Sequence, residues 1–165
     1  NREATGLIPT SQWKKEKYGE PWQEGENLSI AVGQGYVLLT PLQLASGYMS
    51  IANSGMVYKP FLVKEIFDPI KKTSQTFEPT LVRNVNDPKE PFYISEEAFA
   101  TVRKGLYAVA NGKRGTAAWA KIPGFIIAGK TGTVQVRGYT SDQVYGNCLA
   151  RPRKQRHHGW YVAFG

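Results

Sequence analysis

Cysteine is nearly absent from this chain: Cys148 stands alone among 165 residues, so no internal disulfide can form and cysteine usage says little about compartment. Histidine is almost as scarce, with only His157 and His158. These three residues match no compact metal-ligand spacing and bring no evident fourth ligand, so they read as a loop thiol and two surface imidazoles. No run of about 18 apolar residues occurs, so these residues supply no membrane-spanning helix, and the start has no signal-like pattern. Acidic residues are outnumbered, 13 Asp and Glu against 21 Lys and Arg, for a formal charge of +8. Part of the excess gathers in Arg151-Pro152-Arg153-Lys154-Gln155-Arg156, inside a basic segment from Arg137 to His158. No recognised nucleic-acid motif accompanies it and the interleaved aromatics of a single-strand binder are missing, so it reads as a solvated loop and no nucleic-acid partner is expected. Attraction to anionic cell-wall material or lipid head groups, weakening with salt, is the functional alternative.

The length suits one ordinary core, which makes a single domain the expectation. Residues 1–35 carry Pro9, Pro21 and repeated glycines, which predict a packed irregular stretch pinned by the Trp13 and Trp22 rings. Gly33 and Gly35 read as meeting a backbone demand for positive φ, and Gln34 between them is given no direct catalytic role. A helix is then well signalled: Thr40 as N-cap, Pro41 in the first position, Gln43 closing a capping box, Leu39 and Leu44 as a staple, and an apolar face of Leu42, Ala45, Tyr48, Met49 and Ala52. Asn53-Ser54-Gly55 supplies its stop. Phe61 to Phe67 and Thr76 to Val85 read as a hairpin or a pair of edge strands, with Pro79 interrupting the second and Lys71 to Gln75 as an exposed turn. A second helix is predicted from Ser95 to Asn111, capped by Ser95, with Glu96 and Glu97 at its positive end and Phe99, Val102, Leu106 and Val109 on one face.

Ile126-Ile127-Ala128-Gly129-Lys130-Thr131-Gly132-Thr133-Val134-Gln135-Val136 is the segment that carries chemistry. Apolar residues flank a small polar centre with one cation, which predicts a buried strand. Side chains alternate along a strand, so Lys130 and Gly132 take one face and the Thr131 and Thr133 hydroxyls the other. Gly129 and Gly132 mark places where a ligand or another backbone comes close, and a small anion would suit that edge.

Lys130-Thr131-Gly132-Thr133 resembles the Lys-Thr-Gly motif of penicillin-binding proteins and serine β-lactamases, which accompanies a Ser-x-x-Lys nucleophile motif and a Ser-x-Asn motif. Its company is more specific: Gly6-Leu7-Ile8-Pro9-Thr10, Trp13-Lys14, Pro21-Trp22, Ala31-Val32-Gly33-Gln34-Gly35-Tyr36 and Thr40-Pro41-Leu42-Gln43-Leu44-Ala45. In that order they are similar to the elongation-type class B penicillin-binding proteins, over nearly the whole chain. No Ser-x-Asn occurs. Ser11-Gln12-Trp13-Lys14 spells Ser-x-x-Lys, but it lies in the region that normally follows the second motif, so Ser11 reads as a polar loop or helix-start residue.

The resemblance implies an α+β fold, a mostly antiparallel sheet flanked by helices. Residues 1–165 would be the later part of a transpeptidase domain, lacking the upstream nucleophile region and the end of the sheet; Trp160 to Gly165 reads as the start of a strand. It implies peptidoglycan cross-linking through an acyl-serine, with stem peptides as substrates and β-lactams as acylating mimics. No metal or cofactor is implied. Lys130 would supply positive potential for the substrate carboxylate and help orient the absent Ser-x-Asn serine. Thr131 and Thr133 would offer hydroxyls to that carboxylate, the Thr133 N–H would form half of the oxyanion hole, and Gly132 would keep the strand close to its packing partner. A glycan polymerase and morphogenesis proteins of the elongation machinery are the implied partners, at the periplasmic face of a bacterial inner membrane. A D,D-carboxypeptidase or β-lactam sensor of the same fold, and a non-catalytic interaction module, are the rival readings.

Overall fold

The computed structural model describes residues 4–136 and 148–165, without the Cys148 side chain; the first part of the basic segment, residues 137–147, lies outside the described residues. The chain groups into two compact units, Asn1–Gln43 with Thr131–Tyr161, and Leu44–Lys130 with Val162–Gly165.

The first unit opens with two helices where an irregular stretch was expected. Helix α1 spans Ser11–Tyr18 and α2 spans Glu24–Ala31. The prolines and most of the glycines fall outside these elements: Pro9 precedes α1, Gly19 is its C-cap and Pro21 sits between the helices. Local capping fixes both starts. The Thr10 hydroxyl accepts from the Trp13 N–H at 3.1 Å, and the Gln23 N–H donates to the Glu26 carboxylate at 2.8 Å. Ser11 is the first residue of α1, the helix-start position expected for it.

Of the two rings expected to pin this region, Trp13 does so in company with two tyrosines. Trp13, Tyr18 and Tyr36 form a triangle of rings with centroids 5.3–5.7 Å apart, and the Lys17 ammonium lies over Trp13 at 5.1 Å. The Trp22 indole donates to the Asn27 side chain at 2.9 Å. Beside them Lys14 is only 2% exposed. Its ammonium meets the Glu26 carboxylate at 2.7 Å and Glu20 at 3.8 Å. A hydrogen bond to Glu26 holds the Lys14 pKa above its ordinary value, and hydrogen bonds from the Gln23 backbone and Lys14 hold Glu26 below the usual carboxylate range.

The signs of these shifts set a pH window. A depressed carboxylate stabilises the fold above its unfolded pKa, and that contribution is lost as pH falls through the folded value. A raised lysine stabilises below its unfolded pKa and loses effect as pH rises through the folded one. Glu26→Gln is therefore expected to lower the melting temperature by several degrees at neutral pH and to flatten the acid limb of melting temperature against pH. Superimposable curves for variant and parent would remove this pair from the account of stability.

Leu7 and Leu38 pair as an isolated antiparallel bridge, exchanging N–H to O bonds of 2.7 and 3.0 Å. Helix α3, Pro41–Ala52, begins as predicted: the Thr40 N–H donates to the Gln43 side chain at 2.9 Å and the Gln43 N–H to the Thr40 hydroxyl at 3.1 Å.

The second unit holds β1, Met56–Tyr58, β2, Glu65–Asp68, β3, Thr73–Thr76, and β4, Leu81–Asn84. Strands β2 and β3 form an antiparallel hairpin, and β1 pairs antiparallel with β4. Of the expected run from Thr76 to Val85, Thr76 ends β3 and Leu81–Asn84 form β4, with different partners and Pro79 in the break between them. The expected turn from Lys71 to Gln75 is shorter, because Thr73 to Gln75 belong to β3. Asp68 makes the tight turn by accepting from the Ile70 and Lys71 N–H groups at 2.9 and 3.1 Å.

Helix α4, Glu96–Asn111, starts at the expected Ser95 cap, which accepts from the Ala98 N–H at 3.3 Å. Its buried residues are Phe99, Leu106 and Ala110; with Ala117 and Ala128 they make the apolar core. Val102, expected on this face, is exposed, and half-buried Arg103 reaches inward instead. Arg103 donates to the Ile51 carbonyl at 3.1 Å and the Ser54 hydroxyl at 3.0 Å and pairs with Glu96. At the end of α4 the Asn111 amide donates to the Tyr107 carbonyl at 2.9 Å and to the Ile127 carbonyl at 2.8 Å. The helix is thereby tied to the residue before the last strand pair, β5, Ala128–Val134, and β6, His158–Phe164. The α+β class is as expected, with the pairing spread over three two-stranded sheets among the described residues.

Candidate functional site

Strand β5 carries Lys130, Thr131, Gly132 and Thr133 in sequence, and its burial changes along its length. Ala128 and Gly129 are buried, Thr131 is half-buried, and Lys130, Gly132, Thr133 and Val134 are exposed. The expectation of a buried strand is corrected: full burial ends at Gly129, and of the residues beyond it only Thr131 is half-buried. Taking an ammonium or a hydroxyl out of water carries a desolvation cost that Ala128 and Gly129, with no polar side chain, do not incur.

The packing contact with β6 lies at Gly129. A Cβ there would fall 2.6 Å from the Val162 carbonyl oxygen and 2.7 Å from the Ala163 Cβ, so no side chain fits. At Gly132 a Cβ would stand 3.8 Å from the Trp160 Cβ, an ordinary contact. The expected packing role of Gly132 therefore belongs to Gly129. What Gly132 keeps is a bare, exposed stretch of strand between two hydroxyl-bearing residues.

A residue assigned no chemistry from sequence touches this strand. The Gln34 side-chain amide donates to the Thr133 carbonyl at 2.8 Å, and its oxygen accepts from the Gln135 N–H at 3.2 Å. The loop that presents it is built from both flanks. Gly33 and Gly35 have φ of 74° and 68°, the positive values expected there, and the Gln34 N–H donates to the Ser29 carbonyl at 2.8 Å. Tyr36, one residue past Gly35, sits in the Trp13–Tyr18 ring cluster. Two glycines around one amide side chain were the legible part of this signal.

The described end of the basic segment is more structured than a solvated loop. Short 3₁₀ turns cover Cys148–Ala150 and Arg153–Gln155, and the Arg156 guanidinium donates to the Arg151 and Leu149 carbonyls, each at 2.9 Å. Arg156 fastens the turn, whereas Arg153 and Lys154 are exposed. Among the described residues no cluster of three or more His, Cys, Asp or Glu is placed to hold a metal ion, and no helix is long and apolar enough to cross a membrane.

A family model described as the penicillin binding protein transpeptidase domain matches residues 1–164. The peptidoglycan D,D-transpeptidase MrdA of Haemophilus influenzae is 33% identical over 163 residues, 98% of this chain and 24% of that protein. The chain spans about a quarter of the length of the curated relatives it matches. Two solved structures are similar in backbone as well as sequence. Pseudomonas aeruginosa PBP2 in complex with WCK 5153 shares 30% identity at a TM-score of 0.67, covering 98% of this chain and 30% of that one. The complex between Helicobacter pylori PBP2 and MreC shares 29% at 0.69, covering 99% and 25%.

Proposed function

This chain belongs to the penicillin-binding protein transpeptidase family, and from that membership we propose that it forms the substrate-edge part of a peptidoglycan D,D-transpeptidase whose nucleophilic serine lies upstream of Asn1. The observation that carries the reading is the whole-length match to that domain together with the Lys130 to Thr133 stretch of β5, exposed at every residue but half-buried Thr131.

In this reading the serine oxygen attacks the carbonyl carbon of the penultimate D-Ala of a pentapeptide stem. A C–O bond forms, the C–N bond to the terminal D-Ala breaks, and that amine leaves with a proton. The amine of a neighbouring stem then attacks the acyl-serine, loses a proton as the cross-link amide forms, and releases the serine. β-Lactams acylate the same oxygen. Lys130 supplies positive potential to the substrate carboxylate and its neighbouring serine network, while the Thr131 and Thr133 hydroxyls hydrogen-bond that carboxylate. The Thr133 N–H serves as one oxyanion donor, aimed at charge that develops only during attack. The exposure of Lys130 and Thr133 supports access from solvent.

The MreC complex of the Helicobacter pylori relative supports a morphogenesis protein as partner, and a glycan polymerase of the elongation machinery is proposed beside it. The periplasmic face of a bacterial inner membrane is the proposed location, with the anchor outside these residues.

Mass spectrometry of the penicillin adduct tests the assignment. In the longer protein, a labelled penicillin is expected to modify a serine outside residues 1–165, and the 165 residues alone are expected to form no adduct. An adduct on Ser11 would overturn the assignment.

A further inference from the structure

We infer that Gln34 is a positioning residue for acyl transfer, its side-chain amide clamping the backbone of β5 at Thr133 so that the Thr133 N–H is held in line for the developing oxyanion. The inference rests on the transpeptidase reading of β5 and deepens it. In an extended strand the N–H and C=O of one residue leave on the same side, so the Thr133 N–H shares the edge on which Gln34 receives its bonds. Gln34 donates to the Thr133 carbonyl at 2.8 Å and accepts from the Gln135 N–H at 3.2 Å, the pair of bonds that the N–H and C=O of one residue in a neighbouring strand would make. The two peptide planes that follow Thr133 are thereby held in rotation, and the Thr133 N–H, which belongs to the preceding plane, is steadied through the extended φ and ψ of Thr133 that join it to them.

The clamp is itself held from below. Gln34 is half-buried, Gly33 and Gly35 turn its backbone through positive φ, its N–H is tied to Ser29, and Tyr36 is locked between Trp13 and Tyr18. An oxyanion donor lowers the barrier only if it needs no reorientation during attack, so a rigid mount for the Thr133 N–H acts on the acylation step rather than on initial binding.

The test follows acylation of the longer protein by a fluorescent penicillin over a range of concentrations, which separates the pre-covalent binding constant from the acylation rate constant. Gln34→Leu removes both bonds. Gln34→Glu is nearly isosteric, keeps an acceptor for the Gln135 N–H and faces the Thr133 carbonyl with an oxygen. Both are expected to lower the acylation rate constant by about 10- to 100-fold, the scale of a misplaced rather than a deleted donor, with the binding constant little changed. If the leucine variant does not fold, the glutamate variant decides. A parental acylation rate constant, a faster one, or a change confined to binding overturns the role of Gln34. Lys130→Ala run in parallel separates the layers: with that variant disabled, a parental rate in the Gln34 variants removes only this inference, whereas a fully active Lys130→Ala removes the transpeptidase reading beneath it.

Discussion

Lys130→Ala, made in the longer protein that supplies the serine, is expected to slow penicillin acylation on the order of 10²- to 10³-fold while leaving the melting temperature close to the parent's. Both halves follow from its place in β5. The side chain is exposed, and the packing that fixes the strand resides in Ala128 and Gly129, so truncation removes little buried area. What it removes, on the proposed reading, is the positive charge offered to the ligand carboxylate and the serine network. Part of that charge acts in the ground state, so the pre-covalent binding constant should weaken together with the acylation rate constant. Lys130→Arg keeps the charge but replaces a compact ammonium by a planar fork, and an intermediate loss is expected. Parental acylation by Lys130→Ala would remove β5 as the substrate edge.

Position 133 separates side chain from backbone. Thr133→Ala deletes a hydroxyl and keeps the N–H, so a loss of about tenfold is expected, near the net value of one hydrogen bond. Thr133→Pro deletes the N–H itself, and removal of an oxyanion donor corresponds to about 10²- to 10³-fold in rate. The carbonyl that receives the Gln34 amide survives in both variants. Thermal melts separate chemistry from unfolding, because proline also fixes φ in a strand whose other edge pairs with β6. The expected order is parent, then Ala, then Pro. Equal rates for the Ala and Pro variants at equal melting temperatures would assign the Thr133 N–H no part in acylation.

Where the sequence was legible, the determinants were local. Helix α3 was readable because Thr40 and Gln43 complete a capping box three residues apart, and α4 because Ser95 precedes two glutamates and a helical apolar stripe. The two early helices were missed for a related reason: proline and glycine were counted as breakers without regard to position. Pro9, Gly19 and Pro21 punctuate helix ends, and Gln23 is not among the residue types that usually signal an N-cap. Strand β3 consists of Thr73, Ser74, Gln75 and Thr76, all exposed, so no alternation could mark it. Gln34 and the inward contacts of Arg103 to Ile51 and Ser54 were unreadable because those partners are remote in the chain. The Gln34 bond to Thr133 joins residues 99 apart, and nothing in either neighbourhood names the other. The candidate strand was legible as a motif, but the division of labour between its two glycines was not.

Those two glycines answer to different pressures. Gly129 is held by solid matter, since the Val162 carbonyl and Ala163 occupy the space a methyl group would need. Gly132 has room for that methyl on the Trp160 side. A lineage released from its ligand would therefore keep the glycine at 129 and let the one at 132 drift, while a lineage under selection for the ligand alone has reason to hold 132. On the proposed reading, the spelling Gly-Lys-Thr-Gly overlays two constraints, one written by the fold at 129 and one by the ligand at 132.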